Sequence, residues 1–388
     1  MKPARGRPTR RGGPLLFPVE AVHVFRGSGP PARVVAGVDE AGLGPLLGPL
    51  AIGYSVFRPP EPGAVLASVL ESVIASAPAE RIAKKDPAKG TLRRPARKGE
   101  KAPRERTPRR DARLLVADSK IVFQRTPLGE ARLETVALAF LALAAPSRRA
   151  PASGHAFIAG IPEDLRSPVD TSLDPWCAHL PQTLPMRAQP TEIARHVAAI
   201  AAEMSARALA ILDAGVRWVT PGDLNASFEK TDNKSRSHWE LSAPILARIF
   251  RDHGKEGVDV LVDRHGGRMR YGPLLEETFP RARVSVLLEE RTVSEYTVAQ
   301  GEGEGKMRMR VAFAERAEGA SLAVALASCL AKYAREVSMR AFNDYFGSLQ
   351  PGLKPTAGYF SDGWRWLEEA APAIALSGLH RSRLVRAR

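Results

Sequence analysis

The chain has 388 residues, of which 44% are hydrophobic, so it can bury a sizeable core and is not disordered as a whole. No apolar run approaches the roughly 18 residues that a membrane-spanning helix needs, and nothing in the first residues predicts a secretory signal. The two cysteines, Cys177 and Cys329, are far apart and lie in no metal-ligand spacing. We therefore expect a cytoplasmic protein in a reducing compartment, without a disulfide framework or a zinc site.

The formal net charge of +15 is concentrated in two segments. Residues 1–12 contain five Lys and Arg and no acid, and residues 80–113 contain fourteen Lys and Arg against five acids. Both segments contain prolines and few apolar residues. We predict that they are flexible arms that contact a polyanion such as nucleic acid without reading its sequence. A solvating tail and a charged loop are the alternative interpretation.

Strand and helix patterns alternate along the rest of the chain. Strands are predicted at 34–38, 50–57, 114–116, 155–161, 209–219, 258–263, 284–288 and 307–315. Helices are predicted at 65–77, 128–145, 192–207, 244–252, 272–279 and 320–345. This alternation indicates an α/β protein with a mixed central sheet flanked by helices.

The predicted domain organisation follows from these patterns and from the charge distribution. We expect a disordered basic arm over residues 1–33 and one catalytic domain over residues 34–388. Two insertions would interrupt that domain. The first is basic and flexible, at about 80–113, and the second is irregular and rich in proline, at about 146–205.

Three acids lie at or shortly after the ends of predicted strands: Asp39, Asp263 and Glu318. Sites in open α/β sheets form beyond the carboxyl ends of strands, although a single acid in such a place is more often a turn former or a helix cap. Asp39 is followed directly by Glu40, and neighbouring strand residues point to opposite faces. Both can reach one point only if the strand breaks there, which the glycines that follow would permit.

Several motifs, in a consistent order along the chain, resemble those of the ribonuclease HII family. The segment GVDEAGLGPLLGP at residues 37–49 is similar to the opening motif of that family, and it departs from a well-defined position only at Leu43. The other matches are Asp118-Ser119-Lys120, Asp223-Leu224-Asn225, Asp263 at the end of a strand, Ala327-Ser328-Cys329-Leu330-Ala331-Lys332, and Gly358-Tyr359. In the family, a metal-binding aspartate lies fourteen residues before the lysine of the helix motif, which is the position of Glu318 here.

The resemblance implies a ribonuclease H-like fold and a catalytic metal site made of Asp39, Glu40, Asp263 and Glu318. Four carboxylates around one point repel each other and need a compensating cation, and their oxygen atoms suit Mg²⁺ or Mn²⁺. We expect two ions, with Asp39 bridging them. Such a pair of ions hydrolyses a phosphodiester to leave a 5′-phosphate and a 3′-hydroxyl.

The resemblance also implies contacts to the substrate. The candidate substrate-binding residues are Gly42, Leu43, Gly44, Ser119, Lys120 and Tyr359. The first three and Tyr359 would recognise a ribonucleotide 2′-hydroxyl, and Ser119 and Lys120 would contact phosphates. Leu43 lacks the guanidinium that the family carries, so we expect this chain to make one phosphate contact fewer. For Lys120, an ordinary surface lysine is the alternative.

We therefore predict a monomeric endonuclease that cuts the RNA strand of RNA–DNA hybrids or ribonucleotides embedded in DNA. A catalytically weak relative that only binds nucleic acid is one alternative, and a nuclease acting on structured DNA is another. His265, two residues after Asp263, is either a proton-transfer group or a polar loop residue. Trp364 and Trp366 would either stack on bases or pack in the core.

Overall fold

The computed structural model describes residues 25–26, 29–76 and 111–387. Its main sheet has seven strands, in the order β5-β2-β1-β6-β9-β8-β7. These strands are β1 (Val34–Ala41), β2 (Leu50–Arg58), β5 (Ala210–Val219), β6 (Val258–Asp263), β7 (Arg283–Glu289), β8 (Val293–Gln300) and β9 (Met307–Ala314). A small second sheet pairs β3 (Ile74–Ala75) in parallel with β4 (Leu114–Leu115).

Helices flank the main sheet. They are α1 (Leu66–Val69), α2 (Ser119–Val122), α3 (Pro127–Ala144), α4 (Gly154–Ala159), α5 (Pro190–Ala206), α6 (Pro221–Thr231), α7 (Lys234–His253), α8 (Gly272–Thr278), α9 (Leu322–Leu349), α10 (Phe360–Glu369), α11 (Ala371–Ser377) and α12 (Arg381–Leu384). Among the described residues, none of these helices has the length and hydropathy needed to cross a bilayer. The predicted α/β class, with a mixed central sheet flanked by helices, is confirmed.

Three neighbouring strands run in the same direction at the middle of the sheet. β1 is parallel to β6, with Val38 opposite Val262, and β6 is parallel to β9, with Asp263 opposite Ala314. The outer strands β2, β5, β7 and β8 pair antiparallel. The carboxyl ends of β1, β6 and β9 therefore meet at one edge, which is where sites form in open α/β sheets.

Helix α9 lies unusually close to β1 and β2 because two strand positions are glycine. A methyl group added at Gly37 would lie 2.2 Å from the main-chain carbon of Ala323, and one added at Gly53 would lie 2.0 Å from the carbonyl oxygen of Ala327. The Ser55 hydroxyl donates to the carbonyl of Ala323 at 2.8 Å. Any side chain at either glycine would push the helix off the sheet, so these glycines position the helix against the edge that carries the acids.

Some predicted helices and strands are wrong, because side chains that cap the start of a helix have more influence on local structure than short apolar patterns. Residues 155–161 form helix α4 instead of a strand, because the Ser153 side chain caps the helix by accepting from the N–H of Ala156 at 3.1 Å. Helix α7 begins at Lys234 rather than at Pro244, because Asn233 caps it and Pro244 is accommodated inside. Of the predicted helix over 65–77, the described residues 65–76 form only the short helix α1, followed by β3.

Other differences concern a strand that the apolar pattern did not predict and a segment that is more regular than expected. Two predicted segments also lie mostly outside the described residues. Strand β8 was not predicted, and it pairs with both β7 and β9. The segment 146–205 is irregular only in part, because it contains α4 and nearly all of α5. Most of the predicted N-terminal arm and of the predicted basic insertion lies outside the described residues.

Candidate metal centre

Three carboxylates converge at the edge of the sheet. One oxygen of each of Asp39, Glu40 and Asp263 lies within 4.8 Å of the others, and the Glu40 N–H donates to Oδ1 of Asp39 at 2.7 Å. The strand break expected at Asp39 is wrong, because β1 stays paired with β2 as far as Ala41. The turn begins only at Gly42, whose φ is +98°. Both neighbouring acids reach the cluster without a break between them.

Glu318 lies beside this cluster, in a 3₁₀ turn at Ala317–Gly319 that follows β9. After burial, the charge of Glu318 is the main cause of the raised pKa of Asp263, and the N–H of Ala317 donates to Oδ1 of Asp263 at 3.0 Å. Oε2 of Glu318 is buried and has no hydrogen-bond partner within the described structure. Glu318 is outside the group of three acids whose oxygens lie within 4.8 Å, so it extends the cluster on the side of Asp263.

The surroundings disfavour negative charge on Asp39, Glu40 and Asp263. Burial, followed by the charges of Glu40 and Asp263, raises the pKa of Asp39 well above its usual range, although the Ser328 hydroxyl opposes this. Burial and the charge of Asp263 raise the pKa of Glu40 to about 8. Burial and Glu318 raise the pKa of Asp263 to about 7. The carboxylate oxygens of this cluster repel each other, and Oε2 of Glu318 beside them is buried without a hydrogen-bond partner in the described structure. Such a group of oxygens fits a hard divalent cation.

Ser119 and Lys120 occupy different surroundings. The Ser119 hydroxyl is buried and accepts from Ser328 at 2.9 Å, so it faces the interior rather than a substrate. The side chain of Lys120 is 84% exposed, with Nζ 4.0 Å from Oδ2 of Asp118. Its pKa is raised, because Asp118 and the acids of the cluster outweigh the opposing effect of burial. The contact of Lys120 with phosphate stays a prediction, and a contact through the Ser119 hydroxyl is not supported by its position.

Two histidines whose rings are in contact lie next to the cluster. Nε2 of His238 is 3.9 Å from Oε2 of Glu40, and the rings of His238 and His265 are 3.9 Å apart. Burial lowers the pKa of His238 to about 4 and that of His265 well below its usual range. His265 is therefore neutral and buried among aromatic rings, and it lies in the loop that follows β6, as the second of the two alternatives had it. His238 could not be predicted from the sequence, because no motif or spacing links it to Glu40.

The glycine-rich turn that follows the two acids is held by two buried arginines. The Arg386 guanidinium donates to the carbonyl of Gly48, at 2.7 Å from Nε, and also to that of Gly42. Arg335 donates to the carbonyl of Pro49 at 2.9 Å. Burial, and then the charge of Arg335, lowers the pKa of Arg386 well below its usual range. Arg386 could not be predicted from the sequence, because it is 344 residues from Gly42 in the chain.

A cavity of about 260 Å³ opens beside this turn. It is lined by Leu43, Gly44, Pro45, Leu46, Phe228, Lys234, Arg386 and Ala387. Two basic side chains and no acid contribute to this lining, so the pocket is cationic although Leu43 itself is apolar. Gly44 is exposed, and a side chain added there would meet no other atom within 4 Å. The main chain of the turn is therefore accessible to a ligand.

Tyr359 directly follows Gly358, whose carbonyl accepts the N–H groups of Leu46 and Leu47 in the same turn. Its side chain is 50% exposed, and the guanidinium carbons of Arg125 and Arg335 are each 5.9 Å from the centre of its ring. Trp364 is 39% exposed, whereas Trp366 is completely buried and packs in the core, as one of the two predicted alternatives had it. The structure thus places Tyr359 and Gly44 at an accessible surface and keeps Leu43 half-buried.

The fold and the site together define an α/β protein with a carboxylate cluster at the carboxyl ends of three parallel strands. No model of a protein family matches the chain, and no curated protein matches it. Similar solved structures are those of ribonucleases of the HII and HIII types, which include the family that the motifs resemble. At the identities found, this likeness is one of fold alone.

Three of these structures illustrate the likeness. Ribonuclease HII from Archaeoglobus fulgidus, in a complex with PCNA, is 15% identical, with a TM-score of 0.36 over 92% of this chain and 94% of that one. Ribonuclease H2 from Pyrococcus horikoshii is 16% identical, with a TM-score of 0.38 over 90% and 92%. Bst-RNase HIII in complex with Mn²⁺ is 12% identical, with a TM-score of 0.34 over 92% and 72%.

Proposed function

We propose that this chain is a metal-dependent endonuclease of the ribonuclease H type. Its substrate would be the RNA strand of an RNA–DNA hybrid or a ribonucleotide embedded in DNA. The observation that carries this proposal is the convergence of Asp39, Glu40 and Asp263 at one edge, with Glu318 beside them. Buried acids repel phosphates, so a protein that only binds nucleic acid gains nothing from such a cluster, whereas metal-dependent hydrolysis requires it.

The four acids would hold Mg²⁺ or Mn²⁺, since both cations prefer oxygen ligands. Two such ions, when bound, activate a water molecule and stabilise the leaving 3′ oxygen, which leaves a 5′-phosphate and a 3′-hydroxyl. Asp39 is proposed as the shared ligand, because the charges of Glu40, Asp263 and Glu318 all act on it. The nearby histidines stay neutral and contribute no charge to the site.

The chain's own residues would bind and orient the substrate. Arg335 and Arg386 hold the carbonyls of the glycine-rich turn inward, which leaves the exposed main chain at Gly44 available to a 2′-hydroxyl. The exposed ring of Tyr359 would stack on a sugar or base next to it. Lys120, exposed and close to the acids, would draw the phosphate toward them.

The test is cleavage of four labelled substrates with Mg²⁺ or Mn²⁺: an RNA–DNA hybrid, a DNA duplex with one ribonucleotide, plain duplex DNA and branched DNA. We expect cleavage of the first two, with 3′-hydroxyl products. Asp39→Asn should abolish cleavage and leave binding equal or tighter, because it removes a ligand and a charge that repels phosphate. Asp344→Asn, an exposed acid paired with Arg340, is the matched control.

Each other result has a definite meaning. Binding without cleavage of any substrate would favour the alternative of a catalytically weak nucleic-acid-binding protein. Cleavage of branched DNA alone would assign the site to structured DNA. If Asp39→Asn cleaves at the parental rate, the carboxylate mechanism is wrong.

A further inference from the structure

A strip of exposed aromatic rings runs along the outer face of helix α10. Phe360 is 53% exposed and Trp364 is 39% exposed. They are four residues apart and so lie on the same face of the helix, with ring centres 6.5 Å apart. Exposed apolar side chains that lie next to each other and are rimmed by polar residues are one feature of binding surfaces.

The fold does not need these two rings for its core. The opposite face of the helix carries Trp366, which is fully buried with its ring 5.0 Å from those of Phe342 and Phe346. The start of the helix is fixed by Asp362, which accepts from the Thr356 hydroxyl at 2.7 Å and from the N–H of Ala357 at 2.8 Å. The helix is therefore anchored on its inner side and presents the strip on a rigid support.

Positive charges interleave with the rings. The guanidinium carbon of Arg381 lies 5.5 Å from the ring centre of Trp364, and that of Arg125 lies 5.9 Å from the ring centre of Tyr359. Neither arginine forms an ion pair with a described residue. Flat rings alternating with unpaired cations match a nucleic-acid strand, whose bases stack on the rings while its phosphates meet the cations.

The strip is continuous with the proposed active site. The carbonyl of Gly358, just before the helix, accepts the N–H groups of Leu46 and Leu47 at 2.7 and 3.1 Å. The strip therefore starts at the glycine-rich turn and leads away from it. One turn beyond Trp364, the same face carries the exposed acid Glu368, which repels a polyanion and limits the strip to about two bases.

We propose that Phe360, Trp364 and Arg381 form a platform for one or two unpaired bases of the substrate, next to the part held by the glycine-rich turn. This inference rests on the proposed function and adds a substrate feature to it. Bases inside a duplex are stacked on each other and cannot use the platform. The protein should therefore prefer a substrate with an unpaired extension over a blunt one.

The test measures binding in an Asp39→Asn background, so that cleavage does not interfere. Fluorescence anisotropy would compare a blunt RNA–DNA hybrid with the same hybrid carrying a short unpaired extension. We expect the extension to strengthen binding about tenfold, a typical stacking contribution. The double substitution Phe360→Ala and Trp364→Ala should remove this gain and leave the affinity for the blunt hybrid unchanged. Trp364→Phe should keep most of it, because a ring remains.

The matched control is Leu376→Ala, which removes an apolar side chain that is 70% exposed on the next helix. It should bind both substrates like the Asp39→Asn parent. Arg381→Ala should also make binding of the extended substrate less dependent on salt. The slope of log affinity against log salt concentration should become shallower by about 0.7, the value for one phosphate contact on a single strand.

The proposal would be overturned if the parent bound both substrates with equal affinity. It would also be overturned if the double substitution weakened the binding of both substrates to the same extent. Retained affinity for the extended substrate in the double variant would also overturn it. Because binding is read without cleavage, failure of the enzyme to cut any substrate would refute the proposed function and leave this measurement interpretable.

Discussion

Individual acids at the edge of the sheet are held where their charge is disfavoured. The pKa of Glu40 is raised to about 8 and that of Asp263 to about 7, in both cases by burial first and by a neighbouring acid second. At neutral pH the metal-free cluster therefore keeps part of its protons. A divalent cation would replace those protons as the compensating charge, and this gives each ligand a measurable effect on metal binding.

Glu318→Gln should weaken Mn²⁺ binding about tenfold, because it removes a charge while keeping the size of the side chain. Isothermal titration calorimetry on the whole chain measures this directly. Glu315→Gln is the matched control, since Glu315 lies three residues earlier, is exposed and pairs with Arg264 instead. Equal affinities for the parent and Glu318→Gln would remove Glu318 from the site and leave three acids.

At the scale of elements, the glycine-rich turn depends on parts of the chain that are far away in sequence. Arg335 comes from helix α9, and Arg386 follows helix α12. The side-chain amide of Asn225 donates to the carbonyls of Ser382 and Val385 and holds the C-terminal segment against helix α6. The turn thus joins three elements, and its shape should respond to changes in any of them.

Arg386→Lys should destabilise this turn. A lysine keeps the charge, but it lacks the planar fork that reaches the carbonyls of Gly42 and Gly48 together. The expected loss is about 2 kcal/mol, as for hydrogen bonds to a charged group. Denaturant unfolding measures the loss, and hydrogen exchange at residues 42–48 locates it. Unchanged exchange in that turn would show that Arg386 does not hold it.

Leu43→Arg should strengthen cleavage at a single ribonucleotide relative to cleavage of a uniform hybrid. The new guanidinium would join Lys234 and Arg386 at the cationic cavity and could bind a phosphate in bidentate fashion. The measurement is the ratio of the two cleavage rates. Leu43→Met is the control, because it keeps the size without the charge. A ratio that does not change would place selectivity elsewhere, for example at Tyr359.

At the scale of the whole molecule, the positive charge is carried mainly by two segments on a nearly neutral body. The described residues on either side of the basic insertion are tied together, because β3 and β4 pair in parallel. The described strands that flank the insertion therefore lie next to each other. We predict that the insertion supplies affinity for nucleic acid and not chemistry.

Deleting residues 84–110 removes twelve Lys and Arg and three acids. The fold and the cleavage rate at saturating substrate should change little. Binding should weaken. The slope of log affinity against log salt concentration should become shallower by about 0.9 for each phosphate of duplex DNA that the insertion no longer neutralises. The slope is measured from affinities over a range of salt concentrations. An identical slope before and after deletion would show that the insertion does not touch nucleic acid.

The sequence by itself determined the α/β class, most strands of the main sheet, and the acids at or next to the ends of β1 and β6. Buried strands are continuous apolar runs and can be found locally. The acids stand out because a run such as 258–263 ends in a carboxylate. Signals of this kind need only a few neighbouring residues, so the positions of Asp39, Glu40 and Asp263 could be predicted without coordinates.

Only the tertiary structure decided which side chains surround those acids. His238 and Ser328 lie far from Glu40 and Asp39 in the chain, and Arg386, which holds the neighbouring glycine-rich turn, is 344 residues from Gly42. The exposure of Trp364 and the burial of Trp366 depend on which face of α10 meets helix α9. Such contacts arise when the chain packs, because burial and pairing join residues by distance in space and not by separation along the sequence.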